Sequence, residues 1–288
     1  MSKMQLAISG AAGRMGQTLI RLARQMTSIE LMGAIEAPGH SAIGKDAGDL
    51  AGIGHIGLPV IDDALSIIVN AHALIDFSTP EATVELTGLA AQARIVHVIG
   101  TTALEARHLA AIDASARHAT IIRAGNFSLG VNLLTQLTRL AADRLGEDFD
   151  IEIVEMHHRH KVDAPSGTAL MLGEAAAQGR HAPLEEICEH GRTGKTGARQ
   201  KGRIGFSSVR GGGIIGEHMV LFAGEGERLQ LSHIAEDRSI FARGAIRAAE
   251  WGWNEGKGNM GPGQFSMADV LGFGRPQPNP APKLSLTK

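Results

Sequence analysis

Short apolar, β-branched runs punctuate the first half of the chain, each closed by glycine or small polar residues. They are Leu6–Ser9, Leu31–Glu36, Ala73–Phe77, Ile95–Ile99 and Thr120–Arg123. Runs of this length between turn residues read as buried strands. Helical patterns fill the gaps, over Gln17–Met26, from Pro80 to about Ala93, and from Leu104 to about Arg117. Strands alternating with helices predict a parallel sheet with right-handed crossovers. Ligands of such sheets bind beyond the carboxyl ends of the strands. Pro38–Gly57, rich in glycine, is expected to be one long irregular loop.

After a helix predicted over Gly130–Leu145, the pattern changes. Ile151–Val154 reads as a strand, Glu155–Thr168 as a polar loop, and Thr168–Ala177 as a helix whose start is signalled by Pro165 and Ser166. Gly191–Gly202, with Arg192, Lys195, Arg199 and Lys201, is expected to be a mobile, solvated basic loop. Ile204–Arg210, Glu217–Phe222 and Arg228–His233 then alternate with period two, separated by glycine-rich turns. Ser239 is expected to cap a last helix, Ile240 to about Trp251, and the Pro-rich stretch from Gly274 to be disordered. The expected fold class is α/β: a Rossmann-type parallel-sheet nucleotide domain plus an α+β domain with a mixed or antiparallel sheet.

Composition narrows the function classes. At 288 residues and 43% hydrophobic, the chain is long for one domain, and two are expected. A net charge of −2 offers no electrostatic case for nucleic acid or an anionic membrane surface. Aromatics at 3%, with no tyrosine, argue against base-stacking modules. One cysteine, Cys188, excludes an internal disulfide framework. No signal peptide is read at Met1–Met4 and no apolar run matches a bilayer, so the expected location is cytoplasmic.

Two stretches carry chemistry. The first strand runs into Gly10-Ala11-Ala12-Gly13-Arg14-Met15-Gly16 and then a helix, the context of a dinucleotide fingerprint in a variant glycine spacing. Glu36 ends the second strand, twenty residues past Gly16, where a carboxylate accepts from ribose hydroxyls. The second stretch, Glu155–Thr168, holds His157, His158, His160, Arg159 and Lys161 just before a helix N-terminus. Unpaired N–H groups at that terminus bind anions, so an anionic substrate with a proton donor beside it is expected. Adjacent His157 and His158 point to opposite faces of an extended chain and lie among cations, so no metal is expected.

Together, Gly10–Gly16, Asp76-Phe-Ser-Thr-Pro80, Gly100-Thr-Thr102, Gly125-Asn-Phe-Ser128, Glu155–Ala169, Ile204-Gly-Phe206, Arg210-Gly-Gly212 and Gly216-Glu-His218 resemble the dihydrodipicolinate reductase (4-hydroxy-tetrahydrodipicolinate reductase) family of lysine and diaminopimelate biosynthesis. The resemblance implies a discontinuous nucleotide domain, 1–129 plus 239–288, around a substrate and tetramerisation domain, 130–238. It implies NADH and/or NADPH on Gly10, Ala11, Ala12, Gly13, Arg14, Met15, Glu36, Gly100, Thr101, Thr102, Ala124, Gly125, Asn126 and Phe127. It makes His157 and Lys161 catalytic, places a small cyclic dicarboxylate on His158, Gly167 and Thr168, and makes a homotetramer the expected assembly. Ala37 departs from relatives with arginine there that use both cofactors, so NADH is expected to serve at least as well as NADPH. A semialdehyde dehydrogenase would need a nucleophilic cysteine, and Cys188 falls in a predicted loop. A nucleotide-sensing protein without catalysis would need neither Lys161 nor the histidines.

Overall fold

The computed structural model describes residues 2–255 and 261–274. The strands are β1 (Met4–Ser9), β2 (Ile29–Ile35), β3 (Val60–Ile61), β4 (Ala73–Asp76), β5 (Val96–Ile99), β6 (Thr120–Arg123), β7 (Asp150–His157), β8 (Cys188–His190), β9 (Ile204–Arg210), β10 (Glu217–Ala223), β11 (Arg228–Ile234) and β12 (Gly263–Phe265). The helices are α1 (Arg14–Gln25), α2 (Ala47–Leu50), α3 (Ala64–Ile68), α4 (Pro80–Ala93), α5 (Ala106–Ser115), α6 (Leu129–Leu145), α7 (Gly167–Gly179), α8 (Leu184–Ile187), α9 (Ser239–Glu255) and α10 (Met267–Val270).

The first sheet is seven-stranded and parallel throughout, in the order β12-β6-β5-β4-β1-β2-β3. From β3 to β6 this is the doubly wound order, and the strand sequence reverses between β1 and β4. Its strands are apolar and almost wholly buried because helices cover both faces. The small residues Ala242, Ala245, Ala248 and Ala249 form the buried stripe of α9, which packs against α1 and across β4, β5 and β6. Gly244 lets this helix reach the loop after β6, because a methyl group there would collide with the Phe127 carbonyl.

The second sheet is mixed, in the order β11-β10-β7-β9-β8. Strand β10 runs antiparallel to β7 and β11, whereas β7, β9 and β8 are parallel. Alternate residues Ile151, Ile153, Val220 and Phe222 are buried with α7 residues Ala169, Leu172 and Ala176 in a second core. The opposite face carries half-buried Val154, Met156, Met219 and Leu221 and exposed Val209 and Ile234.

Several expectations change. Strand β7 does not stop at Val154; it continues through His157, because both neighbours keep pairing with it as far as Met156 and Arg210. Helix α1 begins at Arg14, so Arg14 and Met15 belong to its first turn. Within Pro38–Gly57, Asp46 caps α2 and also accepts from the backbone of Ile56 and Leu58. Gly191–Gly202 is not simply solvated: Arg192 pairs with Glu152 and Glu189, Arg199 with Asp150 and Glu152, and Lys201 with Asp148. Cys188 starts edge strand β8 rather than lying in a loop. Helix α9 begins at Ser239, so Ser239 is its first residue rather than the residue before it, and the Asp237 carboxylate accepts from the Ser239 amide. The expectation of a disordered tail falls on 275–288, outside the described residues.

Candidate active site

Two adjoining cavities open at the carboxyl edge of the parallel sheet, at the reversal between β1 and β4. One, of 430 Å³, is lined by Gly10, Ala12, Gly13, Glu36, Ala37, Phe77 and Ser78 among others. The other, of 660 Å³, is lined by Gly13, Arg14, Met15, Gly100, Thr101, Thr102, Ala124, Gly125, Asn126, Phe127 and Arg238 among others. Every cofactor residue expected from sequence therefore lines one or both cavities, except Ala11, which is buried in the core beneath them. Gly10 has φ +72°, and a Cβ there would lie 2.5 Å from the Phe77 carbonyl oxygen. A Cβ on Gly16 would collide with the Gly10 carbonyl, so bare glycine lets α1 close onto the loop. The Glu36 carboxylate accepts from the Ala12 amide at 2.8 Å, which ties the end of β2 to the glycine loop. Backbone cradle, helix N-terminus and strand-end acid together fit a dinucleotide.

Beneath the second cavity lies a polar cluster whose pairing the sequence did not reveal, although Asp76 and Thr101 stood in its motifs. Asp76, fully buried, accepts from the Thr83 hydroxyl at 2.6 Å and from the Ser78 amide at 3.0 Å. The Thr83 hydroxyl also lies 2.8 Å from that of Thr101, and His97 Nε2 sits 3.6 Å from the carboxylate. Burial pushes the Asp76 carboxyl up, but the contacts from His97, Ser78 and Thr83 outweigh it and hold it below the usual range. The two loops that line the cavity, at Ser78 and at Thr101, are thus anchored to one buried anion.

The histidine-rich segment runs from the end of β7 to the start of α7. His157 Nδ1 lies 2.5 Å from Oε2 of Glu155, two residues back on the same buried face. Arg210, opposite His157 on β9, donates to both oxygens of Glu155, at 2.8 and 2.7 Å. The same guanidinium donates to the Asp163 carbonyl at 2.7 Å. Burial alone would raise the Glu155 carboxyl; Arg210, Ser208 and His157 bring it down to about 2. The His218 ring lies edge-on to His157, with centroids 5.1 Å apart. Burial, aided by the charge of His157, lowers His218 to about 4, so it is neutral at neutral pH. Its Nε2 is 3.0 Å from the hydroxyl of Ser166, which also caps α7 by accepting from Ala169.

Lys161 donates to the Asp163 carboxylate at 2.8 Å. Burial, followed by the charges of Arg238, His160, His157 and Lys161, depresses His158. The Asn126 amide donates to the Thr168 hydroxyl at 3.0 Å, joining the loop after β6 to the first turn of α7. His157, His158, Lys161, Gly167 and Thr168 do not line the two cavities; Thr168 adjoins the second through Asn126, and His158 lies within electrostatic reach of Arg238. The sequence offered no signal for Arg238, isolated between β11 and α9. Glu155, Arg210 and His218 were legible as motif residues but not as partners, because three different strands deliver them. Cys188 lies at the far edge of the second sheet, outside either cavity.

A doubly wound sheet with a dinucleotide cradle, flanked by a basic, proton-carrying loop from a second sheet, defines a pyridine-nucleotide oxidoreductase. The comparisons with known proteins give the family. The model for "Dihydrodipicolinate reductase, N-terminus" matches residues 4–127, and that for "Dihydrodipicolinate reductase, C-terminus" matches residues 130–271. The chain belongs to the dihydrodipicolinate reductase family. It is 60% identical over 270 residues to the 4-hydroxy-tetrahydrodipicolinate reductase of Parvibaculum lavamentivorans, covering 93% of this chain and 98% of that one. The enzyme of the same name from Brucella abortus is 58% identical over 271 residues, covering 94% and 99%. Among solved structures, a dipicolinate-bound dihydrodipicolinate reductase from Paenisporosarcina superposes with a TM-score of 0.73 at 28% identity, covering 93% of this chain and 99% of that one.

Proposed function

We propose that the protein reduces dehydrated 4-hydroxy-tetrahydrodipicolinate to tetrahydrodipicolinate, as a step of lysine and diaminopimelate biosynthesis. The observation that carries this reading is the bridge from Asn126 to Thr168, which sets the anion-binding start of α7 beside the nucleotide cavity. The bound reduced nicotinamide supplies the hydride. The residues of the chain do the rest. Exposed backbone N–H groups at Gly167 and Thr168 hold one carboxylate of the ring. His158 adds a contact to the substrate. As the ring is reduced, electron density moves to its nitrogen, and a proton must arrive there to balance the charge. Lys161 and His157 are the two groups for that proton. The Asp163 carboxylate holds the Lys161 ammonium at 2.8 Å until substrate carboxylates compete for it.

The cofactor set is Gly10 to Met15, Glu36, Gly100 to Thr102 and Ala124 to Phe127. NADH serves at least as well as NADPH, because the Glu36 carboxylate repels a 2′-phosphate; Arg14 lines the neighbouring cavity and pulls the other way. No metal takes part. The nucleotide domain comprises 1–129 with 239–288, and 130–238 forms the substrate domain. The two close over their ligands about Ser128–Gly130 and Asp237–Ser239. The apolar open face of the second sheet supports a homotetramer formed through it, and sedimentation velocity checks this. Among the described residues no helix is long and apolar enough to cross a membrane, and a cytoplasmic location fits the single thiol.

The deciding experiment is a coupled assay that generates the substrate enzymatically and follows loss of reduced-nicotinamide absorbance. Lys161→Ala and His157→Ala are expected to lower kcat by roughly 10²–10⁴-fold, the range of general acid catalysis. His158→Ala is expected to raise KM more than it lowers kcat, because a ground-state contact is lost. Absence of turnover by folded protein sinks the reading, and near-normal kcat in both Lys161→Ala and His157→Ala removes the acid assignment.

A further inference from the structure

The role of His157 just described depends on which ring nitrogen carries the exchangeable proton, and a neighbouring residue bears on that choice. The Glu155 carboxylate is 1% exposed, shut away from bulk solvent. Arg210, His157, the Ser166 amide and the Ser208 side chain converge on its two oxygens. Oε2 faces His157 Nδ1 at 2.5 Å and Arg210 Nη1 at 2.8 Å. Oε1 takes Arg210 Nη2 at 2.7 Å and the Ser166 amide at 3.2 Å. Arg210 and a backbone amide are obligate donors. An ionised carboxylate is acceptor-only, so His157 Nδ1 must supply the hydrogen of the bond it shares with Oε2. Nε2 is then left as the nitrogen with a free lone pair, or with the transferable proton when the ring is charged. Gly216 lines that side of the ring: a Cβ there would stand 3.1 Å from Nε2.

We propose that Glu155, clamped by Arg210, is the positioning residue that holds His157 as the Nδ1–H tautomer and presents Nε2 to the reacting molecule. The same carboxylate ties together three parts of the site. Through Arg210 it reaches the Asp163 carbonyl, at the foot of the Lys161 loop. Through the Ser166 amide it fixes the cap of α7, where Gly167 and Thr168 begin. A neutral amide of the same shape cannot do this. Glutamine would place an NH₂ on one oxygen position, where it meets Arg210 together with either His157 or Ser166. If it turns towards His157, the imidazole must flip to Nε2–H to accept from it. The tautomer is then wrong for proton transfer, with the nucleotide cavity untouched.

This inference rests on His157 taking part in proton transfer, and the experiment separates the two. Two-dimensional ¹⁵N–¹H NMR of the full-length protein, at a pH where the ring is neutral, reports the tautomer directly. The His157 signal is identified by its loss in His157→Ala. Nδ1–H is expected, and an Nε2–H ring in the unmodified protein overturns the proposal without recourse to any variant that misfolds. Glu155→Gln is expected to lower kcat by about 10–10²-fold, the usual effect of removing an orienting partner of a histidine. KM for NADH should stay within about twofold, since the nucleotide loops do not touch Glu155. Unchanged kcat and tautomer in Glu155→Gln also overturn it. Near-normal kcat in His157→Ala, beside an Nδ1–H ring, would instead retire His157 as proton donor while leaving Glu155 as what sets its tautomer.

Discussion

Removing the Asp76 carboxylate tests whether the nucleotide loops hang from one buried anion. Asp76→Ala takes an acceptor from the Thr83 hydroxyl, bound at 2.6 Å, and from the Ser78 amide, bound at 3.0 Å. It also strips buried His97, whose Nε2 has no hydrogen-bond partner among the described residues, of the charge 3.6 Å away. A hydrogen bond to a charged group contributes about 1.5–3 kcal/mol, and breaking a buried pair from one side costs about 3–5 kcal/mol. The contributions overlap, so a loss of about 3–5 kcal/mol is expected for Asp76→Ala. Asp76→Asn keeps one acceptor and should lose about 1–3 kcal/mol. Urea unfolding at neutral pH, with equal m-values required, measures both, and Asp113→Ala on the exposed side of α5 is the control. Ser78 and Thr101 both line the cavity, so NADH affinity should fall as well. A loosening that costs about 1.4 kcal/mol appears as a tenfold rise in Kd. Stability of Asp76→Ala within about 0.5 kcal/mol of the parent, the range of an ordinary surface change, would refute the account.

Three further outcomes follow from the same geometry. Gly244→Ala should destabilise by about 3 kcal/mol or more despite better helix propensity, because the new methyl meets the backbone carbonyl of Phe127; thermal unfolding reads this out. Stability should decline in acid, since Glu155 and Asp46 are both lowered to about 2, from ordinary carboxylate values of 4.5 and 3.8. Folded pKa values below the unfolded ones mean full stabilisation above about 4.5, lost progressively as pH falls towards about 2; a flat denaturation midpoint across that window contradicts it. Glu36→Ala should raise the NADPH/NADH ratio of kcat/KM by removing the carboxylate that repels a 2′-phosphate; an unchanged ratio would assign cofactor choice to other residues, Arg14 first.

Much of the architecture was legible because its signals are local. The apolar runs from Leu6 to Arg123 could bury themselves only as central strands, and the glycine and small polar residues after each run marked the sheet edge where ligands enter. The GxxGxxG loop and Glu36 announced a nucleotide because each property resides in single residues: a missing Cβ at Gly10 and Gly16, a charge at a strand end. Motif residues such as His157 and Lys161 stood out for the same reason, as side chains whose chemistry is their own. Pairing was not legible. Val154 to His157 carries no strand signature, since Glu155, Met156 and His157 are extended only because β9 and β10 run alongside to bond them. The basic segment Gly191–Gly202 read as solvated because its partners, Asp148, Asp150, Glu152 and Glu189, are supplied by β7 and β8 and the approaches to them. Glu155 meets Arg210 across 55 residues, and Asp76 meets His97 from the neighbouring strand. A buried charge is tolerable only where the fold brings donors to it, and that meeting is a property of strand register, which the tertiary structure alone decides.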